Sequence, residues 1–151
     1  MNAPATMTVR RAAAGDIGAL LQREADFPTD RLDRRHLRHL LARANADVFV
    51  LDCAGAAVAN VVTLYRRGSR SARIYSLAVA PMHRGRGLGA MLLAAAEMAA
   101  QQRGCERIAL EVRPDNAAAL QLYTGRGYTV TETRQGFYED GSDALRLAKV
   151  F

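Results

Sequence analysis

Apolar residues recur along this chain with two periods, and the switches between them lay out its elements. A short alternating run over Thr6 to Arg11 predicts a first strand. Asp16 stands as a helix cap ahead of Ile17, Leu20 and Leu21, predicting a helix to about Ala25. Phe27-Pro28-Thr29-Asp30 breaks that helix. Asp33 opens a second one, with Leu37, Leu40, Leu41 and Ala44 as its buried stripe. Asp47 to Cys53 and Ala56 to Arg66 read as strands about an Ala54-Gly55 turn, a hairpin. After Gly68-Ser69 a third strand runs from Arg70 to Val79, and a period of two puts Arg73, Tyr75, Leu77 and Val79 on one face.

The second half changes rhythm. Leu88, Met91, Leu92, Ala95 and Ala99 recur at helical spacing, and Arg103-Gly104 ends that helix. Ile108, Leu110 and Val112 mark a strand. Asn116 to Arg126 reads as a short helix closed by Gly127. Tyr128 to Arg134 and Leu145 to Val150 predict a final antiparallel pair. No internal repeat, linker or low-complexity stretch interrupts the series. A mainly antiparallel first half followed by one strand–helix–strand unit predicts an α/β (α+β) chain, one domain over residues 1–151, with helices on the faces of a mixed sheet.

Composition narrows the class. Half the residues are apolar and 24% are charged, as in an ordinary soluble globular protein. No apolar run approaches the roughly 20 residues that span a bilayer, so no membrane role is expected. Met1-Asn2-Ala3-Pro4-Ala5 lacks the charged-then-apolar pattern of a signal peptide. Cys53 and Cys105 give neither zinc spacing nor a disulfide framework. Both are expected to be reduced, buried thiols in a cytoplasmic protein that holds no metal. The net charge of +6 is carried by arginine, with Lys149 the only lysine. Arginine forks suit phosphates, and a basic surface also attracts acidic partners. The second helix concentrates Arg34, Arg35, His36, Arg38, His39 and Arg43 opposite its leucines, as a solvated face or a wall for an acidic partner.

The chemistry starts at Ala80-Pro81-Met82-His83-Arg84-Gly85-Arg86-Gly87-Leu88-Gly89, between a strand and a helix. The unpaired N–H groups of a helix's first turn and its dipole favour an anion, and glycine lets a phosphate come close. A P-loop needs Gly-Lys-Ser/Thr, whereas Gly89 is followed by Ala90 and Met91. Gly85-Arg86-Gly87-Leu88-Gly89-Ala90 does match the dinucleotide string, with Glu111 in reach of the ribose-acid role. Against that, Ala80 to Arg84 separate strand from glycines, and the unit sits behind antiparallel strands.

Arg84-x-x-Gly87-x-Gly89 also resembles the R/Q-x-x-G-x-G/A signature of the GCN5-related N-acetyltransferases, which implies acetyl-coenzyme A as the phosphate ligand. It is flanked by Ile74-Tyr75-Ser76-Leu77-Ala78-Val79-Ala80-Pro81 upstream. Downstream come Leu110-Glu111-Val112-Arg113-Pro114-Asp115-Asn116, Leu120-Gln121-Leu122-Tyr123 and Gly127-Tyr128. From about Tyr75 to Lys149 the chain closely resembles the GCN5-related N-acetyltransferases (GNAT), in their bacterial ribosomal-protein alanine N-acetyltransferase (RimI-type) branch. The first half matches only in layout.

That resemblance implies a sheet of about seven strands with a central splay and about four helices. It implies acetyl-coenzyme A as acetyl donor, its pantetheine arm lying in the splay beside Leu77, Ala78 and Val79. Backbone at Leu77 and Val79 would polarise the thioester carbonyl. Arg84, Gly85, Arg86, Gly87, Leu88, Gly89 and Ala90 would hold the pyrophosphate. Glu111, alternating with Ile108, Leu110 and Val112 and so on the opposite face, matches the family's general base. Tyr123 matches its general acid and also meets the coenzyme. Asn116 matches a residue that bonds the coenzyme's arm, although asparagine is also a common helix cap. Tyr138, in Gly136-Phe137-Tyr138-Glu139-Asp140-Gly141-Ser142-Asp143, matches a segment bordering the acceptor site. With Glu111 it would meet the acceptor, while Glu139, Asp140 and Asp143 either attract the amine or form a plain acidic turn.

The expected reaction is direct acetyl transfer within a ternary complex to a primary amine. The implied acceptor is a protein or peptide N-terminal α-amine, with a small-molecule amine as the alternative. A non-catalytic acyl-coenzyme A-binding module would need neither Glu111 nor Tyr123. Nucleic acid is not an expected partner, since no aromatic interleaving accompanies the arginines. Edge strands near the end of the chain are compatible with a monomer or a homodimer.

Overall fold

The structure, a computed structural model, describes residues 6–25, 27 and 29–151. Met1 to Ala5, and the Pro28 of the predicted break, lie outside the described residues. Seven strands form one sheet: β1 (Met7–Arg11), β2 (Ala46–Cys53), β3 (Ala56–Tyr65), β4 (Ser71–Val79), β5 (Arg107–Val112), β6 (Thr129–Arg134) and β7 (Ala144–Val150). Their order is β1-β2-β3-β4-β5-β7-β6. Every neighbouring pair is antiparallel except β4 and β5. Four α-helices are present among the described residues: α1 (Ile17–Glu24), α2 (Arg34–Ala42), α3 (Leu88–Gln102) and α4 (Ala117–Gly125). The mixed, mostly antiparallel sheet is the one expected.

Two apolar layers sandwich the sheet. On one face Leu92, Leu93 and Ala96 of α3 and Tyr123 of α4 pack on Val61, Ile74, Ile108, Leu110 and Leu147. On the other, Ile17 and Leu20 of α1 and Leu37 and Leu40 of α2 cover Val48, Val50 and Val62. Each fully buried leucine stabilises the fold by roughly 2 kcal/mol relative to exposure. The outer face of α2 leaves Arg34, Arg35, His36, Arg38 and His39 exposed.

Several expectations need correction. Asp33 opens α2 as expected, accepting from the His36 N–H at 2.8 Å. Asp16 does not cap α1 with its side chain: its carboxylate accepts instead from the Ala13 N–H and from both terminal nitrogens of Arg10. Ala44 lies beyond the end of α2 and is exposed. On α3 the buried side holds Leu93 and Ala96, while Met91 is 42% exposed. This helix is apolar nearly all round, so spacing alone could not choose its inner face. The two cysteines are free thiols, half-buried rather than buried. No helix among the described residues is long and apolar enough to cross a membrane.

The largest correction concerns β4. Val62 pairs with Ser76 but Thr63 pairs with Ile74, so Tyr75 is an extra residue, a β-bulge. A bulge advances the strand by one residue and reverses which side chains face which layer. Arg73 therefore lies opposite Ala72 and Ile74, as alternation requires. Beyond the bulge Leu77 and Val79 turn to the α3 layer and pack against its core. The four residues expected on one face are divided between two.

Candidate active site

The parallel pairing of β4 with β5 is brief. It covers Ser71 with Arg107, Ala72 with Ile108 and Arg73 with Ala109, and then stops. Both strands continue, β4 to Val79 and β5 to Val112, without bonding each other. A wedge opens between them, and beyond Arg73 no strand among the described residues pairs with the β5-facing edge of β4. A cavity of about 340 Å³ fills this wedge. Ile74, Leu77, Leu110, Val112, Asn116, Ala119 and Tyr123 line it on the α3–α4 side. On the opposite side it is lined by Glu24, Thr29, Arg73, Tyr75, Glu111 and Tyr138, among others.

Beyond the C-terminal end of β4, where the wedge is open, Pro81–His83 form a 3-10 turn and Arg84 to Gly87 lead into α3. Gly85 and Gly87 have φ of 79° and 75°, left-handed values that glycine adopts without strain. Gly87 is the N-cap residue of α3, and the Met91 N–H returns to its carbonyl at 3.3 Å. The N–H groups of Leu88, Gly89 and Ala90 are in the helix's first turn, where no helical carbonyl serves them. Gly89 has a different reason: a Cβ there would sit 3.2 Å from Leu122 Cδ2. It lets α3 approach α4 closely. Arg84 and Arg86 are exposed beside this turn. Arg84 Nε donates to the Val79 carbonyl at 3.1 Å, engaging one of the two backbone positions expected to meet a bound arm.

The two residues expected to move protons reach the cavity from different layers. Glu111 lies on β5 facing away from Leu110 and Val112, and its side chain is only 6% exposed. Burying a carboxylate is costly unless it is paired. Arg73 Nε donates to its Oε2 at 3.0 Å, and Arg146 Nη1, directly across β7, stands 3.9 Å from Oε1. Tyr123 comes from α4 and is 7% exposed. Burial raises its phenol well above the ordinary tyrosine value. It therefore stays protonated, in donor form. Its ring meets Tyr128 edge-on at 5.6 Å, and Tyr128 in turn donates to buried Glu97 at 2.8 Å. Asn116 is the N-cap of α4, its side-chain oxygen accepting from the Ala119 N–H at 3.2 Å. The side-chain nitrogen is the group left to serve a ligand.

The side of the cavity near Tyr138 holds residues that the sequence did not single out. Glu24, at the end of α1, is 4% exposed and accepts from the Leu32 N–H at 2.8 Å. Burial raises its carboxyl above the ordinary value of 4.5, with Leu32 and Arg31 pulling the other way. Its periodicity was that of a polar helix position, and only the loop folding back over α1 buries it. Arg73 of β4 pairs with Glu111 across the apex of the wedge, a contact that strand alternation alone does not reveal. Arg113, just past β5, spans two loops. The acidic residues of the last turn are occupied: Asp140 pairs with Arg113, Asp143 accepts from the Gly136 N–H, and Glu139 accepts from the Asp30 N–H. Tyr138 is half-buried in the wall, and burial raises its phenol.

Comparison with known proteins agrees with this geometry. The model of the acetyltransferase (GNAT) family matches residues 16–128. The chain is 32% identical over 146 residues to the N-terminal acetyltransferase A complex catalytic subunit NAA10 of Arabidopsis thaliana, covering 93% of this chain and 76% of that one. It is 39% identical over 80 residues to the [Ribosomal protein bS18]-alanine N-acetyltransferase of Salmonella typhimurium, covering 51% of this chain and 54% of that one. Among solved structures, the ribosomal-protein-S18-alanine N-acetyltransferase of Escherichia coli superposes with a TM-score of 0.83 at 26% identity, over 96% of this chain and 94% of the other.

Proposed function

The chain belongs to the acetyltransferase (GNAT) family, and from that membership we propose that it transfers the acetyl group of acetyl-coenzyme A to the N-terminal α-amine of a protein or peptide. The observation that carries this reading is a single cavity, opened by the parting of β4 and β5, that Tyr123 and Glu111 line from opposite layers of the sheet. Donor and acceptor can then meet at the wedge without either crossing the sheet.

In this reading Arg84 to Ala90 hold the pyrophosphate through the first-turn N–H groups of α3 and the flanking arginines. The edge of β4 that β5 leaves at Leu77, Ala78 and Val79 accepts the arm, Arg84 giving up the Val79 carbonyl, and Asn116 steadies it. The acceptor enters past Tyr138, towards Glu111 and Glu24. A protonated amine is no nucleophile, so it first gives up a proton to Glu111, directly or through water. Its nitrogen attacks the thioester carbon and the resulting adduct sheds its second N–H proton to water; the carbon–sulfur bond breaks, and the departing thiolate takes the Tyr123 proton. Glu111 then releases its proton to solvent and Tyr123 regains one from it. A thioester is already activated, so no covalent enzyme intermediate is required.

The test is thiol release from acetyl-coenzyme A against a panel of free peptides, N-terminally blocked lysine peptides and small amines. Release with free peptides, and loss of it on blocking the terminus, supports the reading. Turnover confined to small amines overturns the peptide acceptor. Coenzyme binding without transfer to any amine favours a binding module.

A further inference from the structure

We infer that Arg113 is a positioning residue that fastens the two acceptor-side loops to the strand carrying Glu111, and so sets acceptor affinity. This rests on the acetyltransferase reading for the identity of the acceptor, but the fastening itself is read from the contacts.

Arg113 follows β5 two residues after Glu111 and is 19% exposed at its side chain. Its guanidinium is shared among three groups. Nη2 donates to Thr29 Oγ1 at 2.7 Å, in the loop between α1 and α2. Nη1 donates to Asp140 Oδ2 at 3.1 Å, in the loop between β6 and β7. The guanidinium carbon lies 4.1 Å from the centre of the Tyr138 ring. These loops otherwise meet through a reciprocal pair: the Asp30 N–H donates to Glu139 at 3.4 Å and the Glu139 N–H to Asp30 at 3.2 Å. Both of those bonds are exposed, as is the Arg113–Asp140 bond, and water competes with them, whereas the Arg113–Thr29 bond is partly buried.

The last loop is braced within itself. The Tyr138 N–H donates to the Ser142 carbonyl, the Gly141 N–H to the Tyr138 carbonyl, and the Gly136 N–H to Asp143. It therefore moves as a unit, and Arg113 decides where that unit sits. With both terminal nitrogens engaged, Arg113 acts through Tyr138 and Thr29. A planar fork is needed to bond Thr29 and Asp140 while lying over a ring, and a lysine's point charge cannot do all three.

The inference is tested by comparing Arg113→Ala and Arg113→Lys with the wild-type chain. The expected result for Arg113→Ala is an acceptor KM raised about tenfold or more, with kcat at saturating acceptor and acetyl-coenzyme A affinity changed less than about threefold. Arg113→Lys should not rescue it. An unchanged acceptor KM in folded Arg113→Ala, or full rescue by lysine, overturns the inference. Amide hydrogen exchange separates its failure from failure of the acetyltransferase reading. Residues 29–32 and 135–143 should exchange faster in both variants whether or not any amine is acetylated, and unchanged exchange overturns the fastening directly. Thr29→Val, which removes one bond and keeps the arginine, should raise exchange in 29–32 and secures the test if Arg113→Ala does not fold.

Discussion

Arg73 Nε donates to Glu111 Oε2 at 3.0 Å, and Arg73 is also the last residue of β4 to pair with β5. The ion pair sits at the apex of the wedge, where the ladder ends and the cavity begins. It offsets part of the cost of burying Glu111 on the sheet. Arg73 itself is 41% exposed, so solvent screens the pair. A double-mutant cycle with Arg73→Met and Glu111→Gln should give a coupling of about 1 kcal/mol in urea unfolding. A coupling indistinguishable from zero would remove this role from the pair.

Glu24 is buried, with burial raising its carboxyl above 4.5. Below pH 4.5 the carboxyl is protonated in folded and unfolded chains alike, and burial carries no charge penalty. As pH rises through the raised folded value, the wild type loses that advantage. Glu24→Gln keeps an oxygen for the Leu32 N–H and cannot ionise. Its melting temperature should match the wild type near pH 4 and exceed it at pH 7 to 8. The same variant should raise acceptor KM by removing a negative group from the amine's approach. A variant less stable than wild type at pH 8 contradicts the sign.

For Tyr123, burial holds the phenol protonated beyond the ordinary tyrosine range. This residue should impose no loss of activity up to about pH 10. Tyr123→Phe keeps the ring against Tyr128 and removes only the hydroxyl that carries the proton. It should lower kcat about 100-fold with little change in melting temperature. Wild-type kcat retained in Tyr123→Phe would dismiss it as the acid.

The glycines at the start of α3 should fail differently. Gly89→Ala places a Cβ 3.2 Å from Leu122 Cδ2, and should cost about 1 kcal/mol of stability as α4 is pushed outward. Gly87→Ala meets no neighbouring atom but must adopt a φ of 75°. It should cost about 1 kcal/mol and weaken coenzyme binding as the turn relaxes. Calorimetry with each variant, free and with coenzyme A, distinguishes the two.

What was legible in the sequence followed from local signals. Gly85, Gly87 and the apolar run after them announced a turn entering a helix. The alternation of Ile108, Leu110 and Val112 put Glu111 on the opposite face, where it lies. Non-local pairing hid the rest. The bulge at Tyr75 arises from how β4 registers with β3, so simple alternation misplaced Leu77 and Val79. Met91 and Leu93 are equally apolar, and only the sheet beneath α3 decides which is covered. Glu24 and Arg113 are ordinary helix-end and loop charges until distant loops fold over them. Whether Glu139 and Asp140 met an amine stayed open because their partners, Asp30 and Arg113, lie far away in the sequence, whereas Asp143 is held within its own loop by Gly136.

The most direct test of the central claim is the pH dependence of kcat/KM for wild type and Glu111→Gln with a peptide acceptor. Glutamine keeps the shape of the side chain and cannot take a proton. The account predicts a fall of about 100-fold or more at neutral pH, with partial recovery at high pH as the acceptor amine deprotonates in solution. Turnover left intact across the pH range would contradict it.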